Sequence, residues 1–136
     1  MGRGKKKNAP DFYATIGNDI HFGRIYESMA KSPPYMALSI GARHFYTLCR
    51  VQAQSPEAKK CLYEHGKQFD RHYSENCFVF PAKHLAAYGY DHANAKKYFE
   101  QLIEAGFIEM LEKNNVQRLV NVYAFSDKWK SRRPGP

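Results

Sequence analysis

A short run holds the side chains best suited to chemistry with a ligand. His92, Ala93, Asn94, Lys96 and Lys97 follow Asp91 with no acid among them. An asparagine amide can pair bidentately with adenine, and an alanine methyl can meet the methyl of thymine. Each lysine can neutralise a phosphate and release its counterion. Lys113 and Arg118 bracket a polar stretch, Lys113-Asn114-Asn115-Val116-Gln117, and Arg3, Lys5, Lys6 and Lys7 cluster at the start of the chain. Donors without acids in one short run, and cations elsewhere, fit a polyanion with readable edges. Double-stranded DNA has that chemistry. A solvated helix face of mixed charge is the bland alternative for His92 to Lys97.

Other chemistries find less. The chain has no Gly-x-Ser-x-Gly elbow, no phosphate-cradling Gly-Lys-Ser/Thr loop and no His-Glu-x-x-His helix. The expectation is a protein that is not an enzyme, with no catalytic residues, no cofactor and no small-molecule substrate. Cys61, His65, His72 and Cys77 are zinc ligand types, but Cys-x3-His followed by His-x4-Cys is no zinc spacing. A buried cysteine and a partly exposed histidine on an amphipathic helix is the simpler reading, so no metal is expected. Cys49, Cys61 and Cys77 are odd in number and lack a Cys-x-x-Cys pair, which reads as free thiols in a reducing compartment.

The donors need an element to present them. Asp91 is an N-cap by type, and Ala95, Phe99, Leu102, Ile103 and Gly106 recur at helical spacing, so a helix is expected over about 91–105. Ala93, Lys97, Glu100 and Glu104 fall on its opposite side. A shorter helix is expected over about 82–88, with Pro81 at its start and Gly89 as its stop. A turn of three to four residues containing glycine between two helices is a helix-turn-helix connection. Cys77 to Phe80 reads as a strand before this pair. Phe107, Ile108, Met110 and Leu111 read as a strand after it, and Leu119 to Phe125 as the return arm of a hairpin.

Upstream, Ile25 to Lys31 reads as a short helix stopped by Ser32-Pro33-Pro34. Ser39 caps a helix over about 40–52 whose apolar stripe is Ala42, Phe45, Tyr46, Cys49 and Ala53, with Arg43, His44 and Arg50 facing away. Ser55-Pro56 starts another, with Ala58, Cys61, Leu62, His65 and Phe69 on one face. Gly66 weakens it by up to ~1 kcal/mol relative to alanine.

The 136 residues suit one domain with a real core. The net charge is +8, but residues 1–10 carry +4 and residues 126–136 carry +3, which leaves residues 11–125 at +1. Both ends read as disordered basic segments, a non-specific arm and a tail. No apolar run reaches the length of a membrane span and the start lacks a secretory signal, so a cytoplasmic setting is expected.

The stretch Leu85 to Glu109 resembles the winged-helix domains of small helix-turn-helix proteins of bacterial mobile elements and phages, and is similar to the N-terminal domains of plasmid-type replication initiators. Tyr88-Gly89, the aromatic helix through Phe99, and Leu102 through Gly106-Phe107-Ile108 carry the resemblance. Ser32 to Ser39 resembles the family's lead into its first helix. Leu85-Ala86-Ala87-Tyr88-Gly89 is one residue shorter than the frequent family form, and the chain is too short for an initiator's two tandem domains.

The resulting expectation is a mainly α fold with a small antiparallel β-sheet (α+β), a winged helix-turn-helix over 11–125 with a wing over about 107–125. It would bind double-stranded DNA in transcription control or replication of a mobile element or phage. His92, Ala93, Asn94, Lys96 and Lys97 would meet the groove and its phosphates, Lys113 and Arg118 would act from the wing, and Arg3, Lys5, Lys6 and Lys7 from the arm. The alternative is a winged helix used as a protein-interaction module, with nucleic acid held by the tails alone. An RNA-binding accessory, stacking bases on tyrosine and phenylalanine, is a third reading. Self-association through residues 11–31 or 55–76 stays open.

Overall fold

Ser39 accepts a hydrogen bond from the Ala42 amide at 3.1 Å and so starts the helix around which the core is built. In the computed structural model, which describes residues 25–114 and 120–131, two one-turn helices, α1 (Glu27–Ala30) and α2 (Pro33–Met36), lead into it. α3 (Ile40–Gln54) and α4 (Pro56–Gln68) follow, then β1 (Cys77–Val79), α5 (Ala82–Ala87), α6 (His92–Ala105), β2 (Ile108–Glu112) and β3 (Val122–Phe125). A 3-10 turn, Lys128–Ser131, closes the described chain. The fold is mainly helical with a small antiparallel sheet of three strands among the described residues, in the order β1-β3-β2.

Alternation along the strands gives the sheet two different faces. Phe78, Phe80, Tyr123 and Phe125 turn toward the main core, with Phe45 and Tyr46 of α3 and Phe99 and Leu102 of α6. Cys77, Val79, Val122 and Ala124 point the other way, onto Cys61 and Leu62 of α4 and Tyr73. Burial on both faces explains why β1 reads as an unbroken apolar run although it lies at a sheet edge. Phe45 sits at the centre of the main core, 4.9 Å from Phe99, 5.1 Å from Tyr90 and 5.7 Å from Tyr98 between ring centroids. Burying one such side chain contributes about 1.5–3 kcal/mol.

Three helices end alike. After α4, α5 and α6, Asp70, Gly89 and Gly106 adopt positive φ of 55°, 86° and 91°. The amide one residue later returns to the final helical turn: Arg71 to Gly66, Tyr90 to Leu85 and Phe107 to Leu102. This closure satisfies carbonyls that the helix leaves free, and glycine adopts it without a Cβ clash.

Several expectations change. Pro33-Pro34 starts a helix instead of only stopping one, because Ser32 Oγ caps Tyr35 and a proline in the first turn lacks only a donor that has no partner there. Arg43 and Arg50 do not simply face away from the core. Arg50 lays its guanidinium 3.8 Å from the Phe125 ring centroid and donates from Nε to the Tyr46 hydroxyl at 3.0 Å. Arg43 lies over Tyr35 and donates to the Met36 carbonyl. Long stems with planar heads can cover an aromatic edge while the charge stays hydrated. His65, expected partly exposed, is buried at 6% exposure, and Cys61, expected buried, is only partly so. Residues 126–131 are not free chain, since Trp129 stacks on Phe107 with centroids 5.8 Å apart and its amide bonds to the Gly106 carbonyl.

Candidate functional site

The donors singled out in the sequence lie at the start of α6. Asp91 Oδ1 accepts from the Asn94 amide at 2.8 Å, which fixes the first turn and partly offsets the positive helix end. Ala95, Phe99 and Leu102 are buried, and His92, Ala93, Asn94, Lys96 and Lys97 in the first turns are all exposed. The helix therefore presents these five side chains outward while its other face grips the sheet. Lys97 Nζ rests 5.1 Å from the Tyr98 ring centroid, a cation–π contact at the exposed surface.

A groove of about 640 Å³ runs between α6 and the β2–β3 hairpin. His92, Lys96 and Glu100 form one wall, Lys113, Asn114 and Asn121 the other, and Leu85, Phe99 and Tyr123 line its floor. The structure thus brings Lys96 and His92 to the same groove as Lys113. Asn94, Ala93 and Lys97 are outside that lining, on the open face of α6. Arg118, Arg3, Lys5, Lys6 and Lys7 lie outside the described residues.

The hairpin root is held by its own amides. Asn121 Oδ1 accepts from the Asn114 amide at 2.7 Å, and Asn114 Nδ2 donates to the Val120 carbonyl. Turn propensity alone gives neither asparagine this role. An Asn beside a strand end, able to bond neighbouring backbone, was the available signal.

The acids beside the hairpin are already partnered. Glu109 Oε1 lies 2.8 Å from Lys128 Nζ. Glu112 Oε1 accepts from Arg71 at 2.6 Å and from His65 Nε2 at 3.1 Å, and Oε2 accepts from the Tyr73 hydroxyl. A carboxylate can only accept, so Nε2 of His65 carries a proton. Burial pushes the Glu112 carboxyl up, but the Tyr73 and His65 hydrogen bonds and the Arg71 charge outweigh it and hold the acid below its ordinary range.

The cysteine and histidine set is arranged differently from a metal site. His65 is committed to Glu112, Cys77 Sγ lies 3.5 Å from Ser74 Oγ, and His72 is exposed. Among the described residues, no group of three or more His, Cys, Asp or Glu stands ready for a metal ion. Burial pushes the Cys49 thiol well up and the Cys61 thiol up, so neither is tuned as a thiolate nucleophile. No helix among the described residues is long and apolar enough to cross a membrane. No family model, no curated protein and no solved structure matches this chain.

Proposed function

We propose that this protein is a winged helix that binds double-stranded DNA, with the first half of α6 in the major groove and the β2–β3 hairpin as the wing. The observation that carries this reading is the shared groove: His92 and Lys96 of α6 face Lys113 and Asn114 of the hairpin, with Glu100 the one acid in its lining among the described residues, while the hairpin acids Glu109 and Glu112 are paired with Lys128 and Arg71. Element order supports it as well. A helix, a strand, two helices joined through Gly89, and a hairpin whose return strand lies between the other two would suit that domain, with α4 as an added helix between α3 and β1. A recognition helix presents its first turns to base edges, and those turns hold the exposed donors.

Asn94 reads a base edge, Ala93 packs beside it, and Lys96 and Lys97 hold phosphates. The setting that fits is transcription control or replication of a mobile element or phage in a bacterial cytoplasm. A partner-protein reading of the same groove is less favoured. Among the described residues, Ile40 and Tyr63, at 73% and 69% exposure, are the most exposed large apolar side chains, and neither lines it, though Met110, at 36%, does. Selection of bound duplexes from a random library tests the proposal. The wild type should enrich a defined site and Asn94→Ala should flatten the preference at one base pair. Equal, featureless enrichment by both would remove the base-reading role.

A further inference from the structure

Glu112 breaks the local pattern of its strand. In β2, Glu109 pairs with Ala124 and Met110 with Tyr123, so regular alternation would pair Leu111 with Val122. The register slips instead, and Glu112 pairs with Val122. A bulge of this kind re-aims side chains. Here it leaves Leu111 at 49% exposure and turns a carboxylate onto the α4 side of the sheet, where the neighbours Val122 and Ala124 are apolar. Exchanging a leucine for an acid at such a position costs free energy unless the acid is fully partnered.

The partners all come from the segment between α3 and β1. His65 lies in the last turns of α4, and Arg71 and Tyr73 in the chain that returns from it. That return needs two local features. Asp70 takes a left-handed conformation, φ 55°, and the Arg71 amide then bonds the Gly66 carbonyl at 2.7 Å. A Cβ on Gly66 would lie 2.5 Å from the Arg71 carbonyl oxygen, so only glycine admits the close return. Three donors from α4 and its return loop thus converge on the residue immediately before Lys113.

We propose that Glu112 is a positioning residue for the wing: gripped by His65, Arg71 and Tyr73, it fixes where β2 enters the Lys113–Asn114 turn and so sets the reach of Lys113 toward phosphate. This rests on the DNA reading above. The helix α4 and its return loop then act as a brace for the nucleic-acid face, from the opposite side of the sheet.

The experiment combines two readouts on the full chain, with wild type, Glu112→Gln, Tyr73→Phe and, as control, Glu109→Gln. Amide hydrogen exchange at Asn114, Val120 and Asn121 is followed on the free protein, and duplex affinity by anisotropy. Plain electrostatics predicts that removing either acid strengthens DNA binding. The brace predicts opposite signs for the two. Glu112→Gln should speed exchange at the hairpin root about tenfold and weaken duplex binding severalfold, the scale of a missing hydrogen-bond set to a charged group. Tyr73→Phe should shift both readouts in the same direction by less, and Glu109→Gln should leave exchange unchanged and binding equal or tighter. Unchanged exchange in Glu112→Gln overturns the brace. Faster exchange with equal or tighter duplex binding overturns its role in positioning Lys113. If the wild type binds no duplex at all, the DNA reading fails, and the exchange data alone decide whether Glu112 anchors the hairpin.

Discussion

Phe99 of α6 lies flat on Tyr123 of β3, ring centroids 4.1 Å apart and planes within 2°. The pair joins the helix that carries the exposed donors to the central strand of the sheet, and both rings lie at the floor of the α6–hairpin groove. Removing it should cost stability and orientation together. Phe99→Ala is expected to lower unfolding free energy by about 3–5 kcal/mol, as for other buried aromatic truncations. Chemical denaturation measures it, and a decrease under about 1 kcal/mol, far below that range, would mean that α6 is held elsewhere.

Gly66 gives a prediction whose sign separates local propensity from tertiary structure. Helix propensity says that Gly66→Ala stabilises by about 1 kcal/mol. The 2.5 Å approach of its Cβ to the Arg71 carbonyl says the reverse, because backbone cannot swing aside as a flexible side-chain end can. Destabilisation by about 1–3 kcal/mol is expected, the usual cost of overpacking. A urea midpoint above that of the wild type would contradict the close return of the loop.

The lowered Glu112 acid makes stability depend on pH in a defined direction. Its hydrogen bonds and ion pair act in full above the ordinary glutamate value of 4.5 and disappear as pH falls through the lower value of the folded state. The Tm gap between wild type and Glu112→Gln should therefore be constant near neutrality and close below about pH 4.5. Thermal melts of both proteins across that range check it. A gap that widens in acid would reverse the sign and refute the assignment.

Trp129 turns part of the basic C-terminal segment into a lid on Phe107. Trp129→Ala is expected to cost about 1–3 kcal/mol, less than a fully buried ring because the indole is only half-buried. A truncation at residue 125 should show a similar decrease by denaturation, so a fair test of tail-free DNA binding keeps residues up to 131. An unchanged midpoint for both would mean the lid adds nothing.

What was legible in the sequence was local. Asp91 as a cap, Gly89 and Gly106 as left-handed stops, and the Ala95–Phe99–Leu102 part of the expected stripe all follow from interactions within a turn or two and stand in the structure, while Ile103 of that stripe is only partly buried. What was not legible spans distance. Nothing near Leu111 announces the bulge, since the partners that Glu112 meets there are His65, 47 residues from Glu112, and Tyr73, 39 from it. Gly66 looked like a weak point in a helix because its reason is the backbone of Arg71. Arg50 looked like a solvent-facing charge because stripe reasoning ranks residues by polarity and ignores where a guanidinium can lie flat. Trp129 was hidden among cations whose composition suggests free chain.

The most direct test of the central claim is duplex binding by anisotropy across a salt series, comparing the full chain with Lys96→Ala/Lys97→Ala and with a variant neutralised at Arg3, Lys5, Lys6 and Lys7. If α6 holds the DNA, the double lysine variant binds more weakly at every salt concentration, and its log–log salt slope falls by about two, close to one for each phosphate no longer neutralised. The arm variant should bind more weakly but keep sequence preference. Unchanged affinity and slope in the double lysine variant, with all binding abolished in the arm variant, would contradict a DNA-holding role for α6.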